Sequence, residues 1–278
     1  IPMALGPVLG GVLISLYGER GGIRLAFAAA IGLGFASLLL QQRFLSDVPR
    51  PERKPIGNPL RALSLMSPAL RNLLTSDILI RFCEQIPYAF VVLWAVELNG
   101  ISPIQFGILS AIEMATAVLV YIPVAYLADR STKKPYVAAT FGFFTLFPLL
   151  LMVSHTFWAL VLAFVVRGLK EFGEPTRKAL IMDLAPEGKK AGTFGVYYLV
   201  RDVLVSVAAF GGALLWDASA TAAIFPGPGL GQLLRPFFER LASPTTNLLA
   251  ASLFGLGGTA YFLLFGRDLE PDQLDPNC

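Results

Sequence analysis

The sequence predicts an all-α membrane protein, and three observations carry that prediction. Hydrophobic residues make up 55% of the 278 and charged residues only 15%, for a mean hydropathy of +0.65, whereas a soluble domain carries about 25% charged residues. Apolar runs recur at 1–17, 23–41, 76–98, 103–127, 135–154, 156–180, 191–216 and 245–266, each near the ~20 residues that a helix rising about 1.5 Å per residue needs to cross hydrocarbon. Basic residues gather in alternate connectors, as the positive-inside bias requires.

The first run contains ALGPVLGGVL, in which three glycines and a proline stand among apolar residues. Gly6, Gly10 and Gly11 form a smooth strip where a second helix backbone can come close. Pro7 removes one donor, a loss that neighbouring helices can compensate in a membrane. After the second run, residues 42–75 hold Pro49, Pro51, Pro55, Pro59 and Pro68, with Arg43, Arg50, Arg53, Lys54, Arg61 and Arg71 against Asp47 and Glu52. They are expected to form a cytoplasmic interdomain linker with a surface helix in RALSLMSPALRNLL.

DRSTKK and PEGKKAG are also basic, whereas ELNGIS and SHTF are poor in base, so 217–244 is an external loop with a short surface helix and 267–278 a cytoplasmic tail. The chain is then divided into 1–41, two spans of a first bundle, the linker 42–75, and a six-span bundle over 76–266.

Charge inside a span is costly, and it normally faces a partner or a polar cavity. Asp77, Arg81 and Glu84 are spaced four and three apart and share a helix face, which Tyr88 continues; Asp77, near the membrane edge, reads as structural. Arg81 and Glu84 are candidates for touching substrate or for neutralising each other. Glu113 lies at mid-depth with no base within a turn of its own helix. An isolated carboxylate in low dielectric holds its proton, so Glu113 is a candidate for proton coupling. In the sixth run, Arg167 with Glu171 and Lys170 with Glu174 are i, i+4 pairs expected to cancel within the helix, while Lys170, Glu171 and Glu174 are further candidates for substrate or proton contact. Arg201 and Asp202 are adjacent and cannot share a face, so they read, with Arg167, as structural buried ions.

No nucleophile elbow, metal-ligand spacing or phosphate-cradling glycine loop is present, so neither an enzyme nor a cofactor or metal is expected. The net charge of +3 gives no support to nucleic-acid binding.

Three stretches resemble the major facilitator superfamily, whose members have twelve spans in two six-span halves. GPVLGG, with Gly6, Pro7, Gly10 and Gly11, resembles the fifth-span motif of proton-linked exporters. YLADRSTKK, with Asp129, Arg130, Lys133 and Lys134, is similar to the loop between the second and third spans of a half, although Ala125 and Thr132 stand where the family prefers glycine. RGLKEFGEPTRKALIMDLAPEGKKAGTFG resembles the exit from the fourth span of a half.

The resemblance implies a helical bundle with its amino-terminal part missing, its eight spans corresponding to the fifth to twelfth. It implies a secondary transporter that moves a small molecule by alternating access, with proton-coupled efflux expected and metabolite uptake or a non-transporting scaffold as alternatives. The GPVLGG strip would seal the contact between halves, and Asp129, Arg130, Lys133 and Lys134 would form a cytoplasmic latch. The expected partners are the substrate, protons and the lipid bilayer. A monomer in a bacterial inner membrane is the expected setting.

Overall fold

The computed structural model describes residues 2–44, 66–128, 132–224 and 230–267, and all regular structure among them is helical. The first element, α1 (Pro2–Phe44), is not one rod. Gly18 adopts φ 71° and ψ 170°, in the region that glycine enters without steric cost. A Cβ on Gly22 would stand 2.5 Å from the carbonyl oxygen of Leu13, although residues nine apart in a continuous helix are about 13 Å apart. The chain therefore doubles back at Gly18, giving the two arms expected at 1–17 and 23–41. Leu5–Phe44 is thus present as helix at the amino-terminal side of the bundle.

The next helix, α2 (Pro68–Gln85), opens on Ser67, whose hydroxyl accepts from the Leu70 N–H at 3.2 Å. It starts earlier than the apolar run predicted, so PALRNLL belongs to this helix, with Leu70, Leu73 and Leu74 buried, and not to a surface helix of the linker. Residues 61–65 of that segment and most of the linker lie outside the described residues.

Pro87 interrupts the span, which resumes as α3 (Phe90–Leu93) and runs into a π-helical turn, Trp94–Leu98. Two unbroken spans follow, α4 (Pro103–Ala128) and α5 (Lys134–Val153). The run predicted as one helix over 156–180 is instead two pieces, α6 (Phe157–Leu169) and α7 (Glu174–Asp183). The seventh run divides into α8 (Lys190–Val205) and α9 (Ala208–Trp216). The segment expected as an external loop holds α10 (Ala220–Ile224) and α11 (Leu230–Leu241), and α12 (Pro244–Phe265) completes the set.

Helix α12 packs on α2 and α5, α4 on α6, and α8 on α2. One apolar core joins Leu70, Leu73, Ile80, Phe141, Phe144 and Phe262, and a second joins Trp94, Leu109, Leu151, Leu160 and Phe164. The outward surface is apolar as well: Trp158, Leu119 and Leu264 are more than 70% exposed, as expected where hydrocarbon replaces water as the solvent.

Helix α1 joins the bundle through two close approaches to α4. A Cβ on Gly11 would meet the Pro103 carbonyl oxygen at 2.6 Å, and one on Gly107 would meet the Pro7 carbonyl oxygen at 2.6 Å. The expected glycine strip is thus corrected: a Cβ on Gly6 or Gly10 would meet nothing within 4 Å among the described residues, and the second small residue of the contact comes from α4.

Candidate functional site

The charged residues of the spans converge on a single ion-pair chain. The Glu113 carboxylate on α4 receives Arg167 Nη1 at 3.2 Å and Lys170 Nζ at 3.5 Å from α6 and its end. Lys170 Nζ also donates to Glu84 Oε1 of α2 at 2.8 Å. Glu84 in turn receives Arg81 Nη1 at 2.7 Å, and Arg81 Nη2 reaches Glu174 of α7 at 3.2 Å. Arg177 then grips Glu174 through Nη2 at 2.6 Å and Nε at 3.1 Å, and pairs with Asp77. Asp77 Oδ2 also accepts from the Tyr197 hydroxyl at 3.1 Å and from Arg201 Nη1 at 3.4 Å. One line of charge therefore links α4, α6, α2, α7 and α8.

The break in the sixth run creates this chain. Gly168 lies against α4, where a Cβ would stand 2.5 Å from the Glu113 carbonyl oxygen, so Arg167 and Lys170 are carried up to that carboxylate. Helix order ends at Leu169, and the Gly173 N–H, freed by the turn, donates to Thr140 Oγ1 of α5 at 2.5 Å. Both predicted i, i+4 pairs are corrected, because the turn rotates Glu171 and Glu174 away from Arg167 and Lys170. The Glu171 carboxylate makes no hydrogen bond or ion pair to a described residue, while Glu174 turns to α2. The description of Glu113 as isolated is corrected too: its two cations come from a neighbouring span, which spacing along its own helix cannot reveal.

Rings flank the charges. Arg167 lies 5.1 Å from the Phe147 ring centroid, Lys170 lies 5.8 Å from that of Phe144, and Arg201 lies 4.1 Å from that of Tyr198; such contacts favour a cation most where water is excluded. Cys83, Glu84, Tyr88, Phe144, Arg167 and Lys170 are among the residues lining a cavity of about 20 Å³, room for about one water. Tyr88 lines it from the turn after α2, not from the helix face expected for it.

Arg201 is buried as expected, but Asp202 is not: its side chain is 61% exposed and pairs with Arg201 at 2.8 Å. Arg177 stands beside Lys178 just before the basic PEGKKAG connector, yet it is 1% exposed and among the largest fully buried side chains. The signal that marks it is its phase, since Arg177 shares a helix face with Leu180 and Ile181, both buried. Of the expected latch, Lys133 pairs with Asp183 at the end of α7 and Lys134 Nζ donates to the Leu263 carbonyl at 3.1 Å. Asp129 and Arg130 lie outside the described residues. His155 sits in the turn between α5 and α6, where Nδ1 is 3.2 Å from Asn99 Oδ1. Among the described residues no three His, Cys, Asp or Glu side chains cluster as metal ligands.

Comparison with known proteins bears on this geometry. Residues 73–230 match the family model described as the Major Facilitator Superfamily. A search of curated proteins finds no match. Among solved structures, the chain is similar to a bacterial homologue of the human lysosomal transporter Spinster, captured inward-facing and unoccupied, at 14% identity and a TM-score of 0.57; the alignment covers 97% of this chain and 68% of that one.

Proposed function

Because the chain belongs to the Major Facilitator Superfamily, a family of alternating-access membrane transporters and not of enzymes, we propose that it exports a small molecule in exchange for protons, with Lys170 and its two carboxylates as the coupling device. One observation carries the reading: Lys170 Nζ lies 2.8 Å from Glu84 on α2 and 3.5 Å from Glu113 on α4. A cation with carboxylate partners on two different helices can move between them, and a proton on either carboxylate decides which it prefers.

Two unit charges 4 Å apart attract by about 4 kcal/mol at an effective dielectric of 20, most of the about 5.5 kcal/mol that takes a two-state equilibrium from 1:99 to 99:1. A proton on Glu113 weakens its hold on both Arg167 and Lys170, which leaves Lys170 to Glu84. Glu171, lacking an ion partner in the turn between α6 and α7, is the second carboxylate available to a proton. The export direction follows from the likeness of GPVLGG to the exporter motif, and the setting we propose is a monomer in a bacterial inner membrane.

The test is transport in proteoliposomes under an imposed pH gradient, with Glu113→Gln and Glu171→Gln compared. Glu113→Gln is expected to keep substrate counterflow and lose at least tenfold of the gradient-driven rate, with Glu171→Gln changing that rate less. An unchanged gradient dependence in Glu113→Gln overturns the assignment.

A further inference from the structure

The external loop between α9 and α12 contains a helix whose two faces differ sharply. Along α11, Leu233, Phe237 and Leu241 recur every four residues and are 75%, 58% and 39% exposed. Leu234 and Phe238, one position on, are only partly exposed, and α11 packs against α10 and α9. The opposite face carries Arg235 and Glu239, joined at 2.7 Å with both side chains more than half exposed. The apolar arc is therefore wider than the protein covers, and a stripe of three large side chains is left over.

We infer that this stripe is buried in the outer leaflet of the bilayer, with α11 lying along the interface as a monotopic helix. Two observations select lipid over another partner. The stripe is continuous with surface that already faces hydrocarbon: α11 connects two spans whose outward residues, Phe210 on α9 and Leu249, Leu253 and Leu256 on α12, are 43% to 68% exposed. Its carboxy-terminal end is also held beside the end of α9. The chain re-enters α12 two residues after α11, and there the Ser243 N–H donates to the Leu215 carbonyl at 2.9 Å.

A short helix pinned there, apolar on one side and bearing Arg235, Glu239 and Arg240 elsewhere, has the residue distribution of an interfacial helix. Phe237 and Phe238 supply flat side chains that enter the acyl boundary, and Arg235 and Arg240 are long enough to reach lipid phosphates from its edge. The assignment is independent of which ion couples transport.

Spin labels in the intact protein in lipid nanodiscs test it. In a background of Cys83→Ala and Cys278→Ser, single cysteines are placed at Leu233, Phe237 and Leu241 and, as controls, at Arg235 and Glu239. Collision with dissolved oxygen is expected to exceed collision with a water-soluble nickel chelate at the first three sites, with the ratio falling at least threefold at the two controls. Nickel accessibility at Phe237 equal to that at Arg235 overturns the proposal, as does protection of Phe237 from both reagents, which would mean that protein covers the stripe. Should the Phe237 variant fail to fold, the Leu233 and Leu241 labels decide in the same way.

Discussion

The two ends of the ion-pair chain use the same chemistry to different effect. At the end nearer α8, Arg177 is 1% exposed and spreads its guanidinium over Glu174 and Asp77, while Asp77 is also held by Tyr197 and Arg201. At the end nearer α4, Lys170 is shared between carboxylates at 2.8 and 3.5 Å, beside a cavity with room for about one water. A planar fork saturated on several sides fixes helices, whereas a point charge with two alternative partners can change hands. Between the ends lies a slack contact: Arg81 Nε and Asp77 Oδ1 stand 3.8 Å apart, both without a hydrogen bond. Burial alone does not separate a lock from a switch; the number of partners each charge would lose on moving does.

Substitutions that unbalance this contrast rank by how much buried charge they orphan. Arg177→Met leaves Asp77 with Arg201, Tyr197 and the slack contact to Arg81 and loosens Glu174, so about 3–5 kcal/mol of stability should be lost, measured as a lower thermal midpoint in detergent. Lys170→Met leaves Glu84 with Arg81 and Glu113 with Arg167, so stability should fall by only about 1 kcal/mol while gradient-driven transport falls at least tenfold. A Lys170→Met protein as unstable as Arg177→Met would erase the distinction.

Two milder tests calibrate it. Lys133→Ala removes a pair with Asp183 near the basic loop, where solvent screens the charges, and should cost about 1 kcal/mol or less. Asp217 is the limiting case, exposed and without a cation. Hydrogen bonds from the Ser219 hydroxyl, then from its backbone N–H, hold the Asp217 carboxyl below its usual range. A lowered folded value means that its contribution is present above the unfolded value and is lost as pH falls through the lowered one. Amide exchange over 217–224 should therefore quicken only in that acid range, and Asp217→Asn should abolish the dependence.

The sequence made the spans legible and the pairings largely illegible. Runs such as 103–127 and 135–154 correspond closely to α4 and α5 because hydrocarbon thickness sets helix length without regard to neighbours. The partner of Glu113 depends instead on how near α6 comes to α4, a distance set by Gly168 meeting a backbone carbonyl. The i, i+4 rule assumed a continuous helix through Lys170–Glu174, and the turn there redirected every charge that rule had paired. Arg177 was hidden for a related reason: next to Lys178 it resembles a solvated basic pair, and only its phase with Leu180 and Ile181 places it inside.

That turn also sets what the span can do mechanically. Pro175 stands at the start of α7, with no N–H to offer the Glu171 carbonyl and a ring that would collide with it if the helix were continuous. The helical hydrogen bond to the Glu171 carbonyl is therefore one that this span cannot form, so the joint between α6 and α7 is written into the sequence. A span divided there has two rigid pieces with different neighbours, α6 packed on α4 and α7 tied through its charges to α2.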